Sequence, residues 1–477
     1  MAGLPWQHGR VNYDLCIIGS GSGNSIVNEE FGGLSVALVD KGTFGGTCLN
    51  VGCIPTKMYV FPADLAAEPA HSGGLGVDLE LRGVRWAAIR DRIFGRIDPI
   101  SAAGRDWRAN SANVTLIEEE VRFTGPRQLT TATGVTFTAD RVVLAAGSRP
   151  IVPPLPGLDG VRFYTSDTVM RLARQPESLV IVGAGYIGAE FAHIFSAFGT
   201  DVTVVARKAR VLQYEDDEVS QRFTELLGRR VRLRLQTTVE QVSTDPDGRI
   251  RVLLDTAGER HELIAETLLI ATGRTPNSDT LDLGATGVAV DDDGYVVVDD
   301  YQRTTANGIF ALGDISSHDQ LKHVANHEAR VVQHNLLHPN DLVASDHRYV
   351  PHAIFSSPQV ASVGLTERAA RDAGRDVVVA RTDYASTAYG WAMEDDGHFV
   401  KLVGDRATGL LLGAHLIGPQ ASSLIQPLIQ AMSFGIPAQD VALGQYWIHP
   451  AMIEVVENEL LALGPPTGAA GLPGAER

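Results

Sequence analysis

One pattern occurs twice in this chain and constrains its fold more than any other feature: an apolar strand, a glycine-rich loop, a helix-forming stretch and a second strand. The first copy runs from "YDLCIIG" through "SGSGNSIVNEEF" to "SVALVD"; the second is "SLVIVGAGYIGAEFAHIFSAFGTDVTVVAR". Apolar runs of strand length, alternating with helical stretches, predict parallel sheets buried between helices. Two such units, well separated, predict an α/β protein with two Rossmann-like dinucleotide-binding domains.

The loops differ in ways that suggest different ligands. In the first, Gly19 and Gly21 stand where a tight turn and a close approach to a pyrophosphate are needed, and Asp40 ends the second strand, where a carboxylate can accept from a ribose hydroxyl. The third glycine position holds Asn24, with Gly23 beside it. In the second, Gly183, Gly185 and Gly188 complete the G-x-G-x-x-G spacing, and the next strand ends in Arg207, with Lys208 and Arg210 behind it. An acid there suits the 2′-hydroxyl of NAD, whereas cations suit the extra phosphate of NADP, so NADPH is favoured.

After the second unit closes at "ETLLIATGRTPN", the chain changes character near Pro351. There "PQVASVGLTE", "FVKLVGD" and "GLLLGAHLIG" are short strands followed by helical stretches, the mark of a third, α+β domain. The last residues, "GPPTGAAGLPGAER", have the composition of a disordered tail. A formal net charge of −17 disfavours nucleic acid and anionic membranes as partners. No apolar run reaches the ~18 residues of a membrane span, and "MAGLPWQHGR" has no signal-peptide core, so the expected location is cytoplasmic.

Two of the three cysteines, Cys48 and Cys53, lie close together in "GGTCLNVGCIPTK". On a regular helix their Cα atoms would be about 8.6 Å apart, and a disulfide needs less than about 7 Å. If they pair, the turn between them is not regular helix, and Gly52 and Pro55 provide a place for distortion. A structural zinc site is disfavoured because no second cysteine pair exists, and His323 and His327 read as one face of a polar helix. Two unpaired buried thiols remain open on these residues alone. Cys16, inside the first strand, reads as a small core residue.

The stretches "GGTCLNVGCIPTK", "GAGYIGAE", "GIFALGDI" and "IHPAMIEVVENEL", in that order over nearly the whole chain, resemble the pyridine nucleotide-disulfide oxidoreductases, the family of glutathione reductase and dihydrolipoamide dehydrogenase. The resemblance implies an FAD-binding domain over 1–156 and 280–345, an NADPH-binding domain over 157–279, and a dimerisation domain over 346–477 with its tail disordered from about 464. It implies a homodimer and a redox-active Cys48–Cys53 disulfide, with Cys53 facing the flavin and Cys48 attacking substrate. His449, oriented by Glu454, would serve the disulfide of the other subunit, and Lys57 would pair with Glu190 beside the flavin. Gly19, Gly21, Asn24, Asp40, Gly46, Thr47, Gly147, Asp314 and Ala325 would hold FAD. Gly183, Gly185, Tyr186, Gly188, Arg207, Lys208, Arg210 and Gly273 would hold NADPH, with Tyr186 as a lid.

Within the family, "TAYGWAMED" and "YWIHPAMIEVVENELL" point to the branch that reduces mycothione. The absence of cysteine after Cys53 removes mercuric reductases and large thioredoxin reductases. Arg207, Lys208 and Arg210 argue against the NAD-using dihydrolipoamide dehydrogenases. Glu29 and Glu30 stand where glutathione reductases carry arginines for glutathione's carboxylates, whereas mycothione, with uncharged sugar and inositol groups, needs no such cations. Dihydrolipoamide dehydrogenase or glutathione reductase activity is the alternative within the class, and a flavin-containing redox sensor or docking component is the alternative outside it.

Overall fold

In the computed structural model, which describes residues 11–467, the strand Val11–Ile18 lies at the middle of a seven-stranded sheet. Val36–Val39 and Thr136–Leu144 flank it in parallel, so that Ile18 stands beside both Val39 and Leu144. Alternate residues explain the continuous apolar run. Leu15 and Ile17 pack with Ile26, Phe31 and Val332 on one face, while Cys16 and Ile18 pack with Phe137 and Ile309 on the other. Cys16 is fully buried, and burial raises its pKa, as expected of a core thiol. After Leu144 the chain leaves this sheet, and it rejoins it at Ile309–Ala311 in parallel with Thr136–Leu144.

The second sheet repeats the arrangement. Ser178–Val182 sits between Asp201–Val205 and Thr267–Ile270, all parallel, with Arg232–Arg234 and Phe163–Thr165 at the edges. The duplication extends to atoms. Gly19 (φ +115°) and Gly183 (φ +120°) both end the central strand, and a Cβ on either would lie 2.1 Å from a carbonyl oxygen, Ala145 O or Ala271 O. Only glycine satisfies both the backbone angle and the approach.

Seven helices position the functional residues: α1 Gly46–Asn50, α2 Cys53–Ala67, α3 Trp86–Ala109, α4 Tyr186–Ala197, α5 Asp217–Gly228, α6 Lys322–Leu337 and α7 Glu454–Ala462. One expected helix is absent. "SGSGNSIVNEEF" forms two short 3-10 turns, Gly23–Ile26 and Glu29–Phe31, in place of a counterpart to α4. Val27 between them is extended, and the Asn28 side chain accepts from Glu30 N–H at 3.1 Å, starting a new turn. A β-branched pair followed by asparagine favours this break over continued helix.

From Pro351 to Gly418 the chain forms a five-stranded antiparallel sheet. The beginning of the expected disordered tail is held against it: Thr467 N–H donates to Arg406 O at 3.0 Å. Residues 468–477 lie outside the described residues. This sheet is fastened to α5 through a buried cation. Lys401, 2% exposed, contacts Asp216 at 3.0 Å, Glu218 at 2.7 Å and Glu367 at 2.8 Å. Beside it, Glu215 accepts from Ser362 Oγ and meets His352 Nε2, each at 2.6 Å.

Removing one partner of such a network leaves an uncompensated buried charge at Asp216. Lys401→Met should cost about 3 kcal/mol, seen as a thermal midpoint several degrees below wild type; an unchanged midpoint would contradict this role.

Candidate active site

The two cysteines sit on either side of a break between helices. Cys48 is in α1 and Cys53 begins α2; between them Val51 (φ −143°, ψ 10°) and Gly52 (φ −126°, ψ −122°) leave helical geometry. A Cβ on Gly52 would lie 2.9 Å from Thr47 O and 3.3 Å from Cys48 Cα, so the break depends on glycine. The distortion required for the cysteines to approach is therefore present, and both are free thiols, Cys48 half-buried and Cys53 exposed.

Their surroundings are unequal. Hydrogen bonding from Cys48 and the ammonium of Lys57 outweigh burial and push the Cys53 pKa down to about 7. The same hydrogen bond, with burial, pushes Cys48 well above the usual thiol range, and Lys322 partly offsets this. Cys53 is thus the more acidic thiol of the pair.

The cysteine turn is seated on the first glycine loop. Gly45 N–H donates to Ser20 Oγ at 2.8 Å, and a Cβ on Gly46 would lie 2.7 Å from Gly21 Cα. Asn50 Nδ2 donates to Phe44 O at 2.9 Å and Gly46 O at 3.1 Å, which fixes the entry to α1 and presents Thr47 at its start. Asp40 accepts from Ser20 N–H and Gly42 N–H, each at 2.8 Å. Gly147 (φ +68°) follows the Thr136–Leu144 strand, and Asp314 Oδ2 accepts from Ser148 Oγ at 2.7 Å. Ala325 is buried beside Gly313, whose N–H donates to the buried Glu328 at 2.6 Å.

Lys57, one turn after Cys53, reaches both Glu190 oxygens at 2.7 Å. Glu190, on α4 and 5% exposed, also accepts from Phe355 N–H at 2.9 Å. Tyr186, 46% exposed, begins the same helix. Around the second loop, Gly188 allows α4 to approach Gly183 O, and space remains open beside Gly185. Gly273 (φ +129°) closes the adjoining turn. The three cations after Val205 separate: Arg210 is ion-paired with Asp217, whereas Arg207 and Lys208 are exposed and form no ion pair among the described residues. Arg210 is therefore turned toward α5 and is not a free member of the cluster.

His449 Nδ1 meets Glu454 Oε1 at 2.6 Å, and Glu454 Oε2 accepts from Ala451 N–H at 3.3 Å. The imidazole is 71% exposed, in a stretch where Tyr446 and Ile448 are also exposed. The chain thus builds the cysteine pair and the histidine–carboxylate pair without placing them in contact. No cluster suited to a metal ion exists among the described residues, and His323 instead meets Pro351 O at 2.8 Å.

Residues 13–329 match the family model described as pyridine nucleotide-disulphide oxidoreductase, and residues 350–460 match the dimerisation domain of that family. The chain belongs to this family. Mycothione reductases from the CDC 1551/Oshkosh and H37Rv strains of Mycobacterium tuberculosis are 52% identical over 461 residues, covering 94% of this chain and 99% of theirs. Dihydrolipoyl dehydrogenase of Mycobacterium leprae is 34% identical over 462 residues, covering 94% and 97%. The HOCl-induced flavoprotein disulfide reductase RclA of Escherichia coli superposes with a TM-score of 0.83 at 28% identity, covering 94% of this chain and 99% of its own.

Membership in the pyridine nucleotide-disulphide oxidoreductases implies FAD and a pyridine nucleotide as cofactors, which accounts for the two glycine loops. Sequence reasoning missed three residues at the site: Arg108, which donates to Asn24; Lys322, which donates to Ser22 Oγ at 2.7 Å; and Glu328. Only Lys322 left a signal, as a cation at the start of a helix, where the macrodipole disfavours it.

Alkylation of the reduced protein, mapped to Cys53, should increase through a midpoint near pH 7, because its pKa is lowered to about 7. Lys57→Met should move that midpoint upward by removing a cation that favours the thiolate. An unshifted midpoint would contradict the role of Lys57.

Proposed function

We propose that this chain reduces mycothione to mycothiol with electrons from NADPH, as a homodimer in which the partner's His449 serves each Cys48–Cys53 pair. The break at Gly52, which sets Cys48 and Cys53 at the facing ends of two helices with Lys57 and Glu190 beside them, carries the assignment to disulfide reduction. The 52% identity to mycothione reductase over nearly the full length supports the substrate.

The domains are read as FAD-binding over 1–156 and 280–345, NADPH-binding over 157–279 and dimerising over 346–477. The residues around the first loop fit FAD. Gly19, Gly21, Asn24, Gly46 and Thr47 would hold the diphosphate, a reading supported by the Gly21–Gly46 approach, which leaves no room for a Cβ on Gly46. Asp40 would accept from ribose, while Asp314, Gly147 and Ala325 would line the rest. Gly183, Gly185, Gly188 and Gly273 would hold NADPH, with Tyr186 over the nicotinamide and Arg207 and Lys208 on the 2′-phosphate. Bound FAD would relay two electrons from the nicotinamide to the Cys48–Cys53 disulfide.

The remaining steps belong to side chains of the protein. The opened disulfide leaves Cys53 as a thiolate held by Lys57, and Glu190 keeps the ammonium in place. Cys48, after giving up its proton to His449, attacks one substrate sulfur to form a mixed disulfide. The departing thiolate takes that proton back from the imidazolium, which Glu454 orients and stabilises. Cys53 then attacks the Cys48 sulfur, restoring the protein disulfide and releasing the second thiolate, which takes its proton from solvent through His449. One substrate disulfide becomes two thiols for two electrons and two protons.

Arg207 and Lys208, without an ion pair among the described residues, favour NADPH over the NADH expected of a dihydrolipoamide dehydrogenase. Glu29 and Glu30, exposed on the second 3-10 turn, remain unsuited to glutathione's carboxylates.

Purified protein should be yellow and should turn over mycothione with NADPH faster than oxidised glutathione or lipoamide with either nucleotide. Preference for lipoamide with NADH would overturn the assignment. Arg207→Ala with Lys208→Ala should raise KM for NADPH about tenfold or more while leaving KM for NADH nearly unchanged; an equal effect on both would remove these residues from phosphate recognition. His449→Ala should lower kcat about 10²- to 10⁴-fold, the range for a lost general acid–base. A near-normal kcat would show that another group moves the proton.

A further inference from the structure

A dinucleotide loop normally gains positive potential from the helix that follows it. The second loop has α4, twelve residues long, whereas the first has a 3-10 turn of four, too short for aligned peptide dipoles to accumulate. Behind that turn lies Arg108 of α3, only 4% exposed. Its Nε donates to Asn24 Oδ1 at 2.6 Å, and its Nη2 donates to Asn24 O at 2.7 Å and Val27 O at 2.8 Å.

All three acceptors are uncharged, and Arg108 forms no ion pair among the described residues. Burial accordingly lowers the guanidinium pKa. In the same loop, Lys322 at the start of α6 donates to Ser22 Oγ at 2.7 Å and likewise has no carboxylate partner among the described residues. Two uncompensated cations thus flank Gly21–Asn24 in a chain of net charge −17. A buried charge without a counterion is costly, and a bound diphosphate would provide the counterion.

We propose that Arg108, assisted by Lys322, is a cofactor-positioning residue whose buried, carboxylate-free guanidinium supplies the FAD diphosphate with the positive potential that the missing helix would have given. This rests on the reading of the first loop as the FAD site. It also explains Asn24 at the third glycine position: its amide oxygen seats Arg108, while Gly23 provides the close packing, a Cβ there lying 2.7 Å from Ala145 Cβ and 3.0 Å from Ile17 Cγ2.

The test is titration of flavin-stripped protein with FAD, followed by flavin fluorescence, alongside the thermal midpoint of the stripped protein. Asn24→Asp gives Arg108 a counterion in the same hydrogen-bonding seat; Arg108→Gln keeps N–H donors without charge; Arg108→Lys keeps charge without the fork. FAD Kd should rise about tenfold or more in Asn24→Asp and Arg108→Gln but less than about threefold in Arg108→Lys. The stripped Asn24→Asp protein should melt at or above the wild-type temperature. If Arg108→Gln gives no folded protein, Asn24→Asp decides. A change below about threefold in Asn24→Asp or Arg108→Gln would overturn the proposal. So would a loss of affinity in Asn24→Asp accompanied by a lower midpoint, which would make Arg108 a strut only. Wild-type protein that binds no FAD would overturn the cofactor reading itself, and this proposal with it.

Discussion

Everything at the site depends on the pairing of Lys57 with Glu190. Glu190 is removed from water and Lys57 is half-buried, so the carboxylate is tolerable there only while it stays paired and hydrogen-bonded. Glu190 meets the ammonium with both oxygens and takes the Phe355 N–H as well. The cysteine helix, the helix of the second glycine loop and the first strand of the C-terminal sheet are therefore joined one turn from Cys53. The same ammonium favours the Cys53 thiolate. A second link runs parallel to it: Arg230 donates to His193 Nδ1, leaving Nε2 to donate to Asp64 on α2, and Arg230 also donates to Ser357 O. Two fastenings between α2 and α4 keep the acidic thiol at a fixed distance from the nucleotide-binding body.

What the sequence made legible follows from locality. Both glycine loops, the Arg207–Lys208 turn and the break at Gly52 are encoded within a few residues, where backbone angles and close approaches leave few solutions. The illegible parts are long-range or cumulative. The loss of the first helix comes from several weak preferences over Asn24–Asn28, none decisive alone. Arg108 reaches Asn24 from α3, 84 residues away, and Lys322 reaches Ser22 from α6, 300 residues away. The pairing of Arg210 with Asp217 was hidden for a different reason, since a basic cluster in sequence does not reveal which member a nearby acid will take.

His449 stands exposed at the far end of the chain from the cysteines. An imidazole paired to a carboxylate, yet standing in solvent beside exposed Tyr446 and Ile448, would under the proposed function belong to a surface completed by another chain. His449 lies within residues 350–460, which match the family's dimerisation domain, and this supports the proposal that a second copy completes that surface. A two-fold interface repeats every contact, so each cysteine pair would receive one histidine and each histidine would serve one pair.

Subunit complementation tests this account most directly. Cys48→Ser and His449→Ala proteins, each nearly inactive alone, are unfolded, mixed and refolded with FAD to form mixed dimers. Each mixed dimer would contain one site with both defects and one with none, so about half of its sites should turn over at the wild-type rate. Mixed dimers as inactive as their parents would place His449 at the disulfide of its own chain and contradict the account.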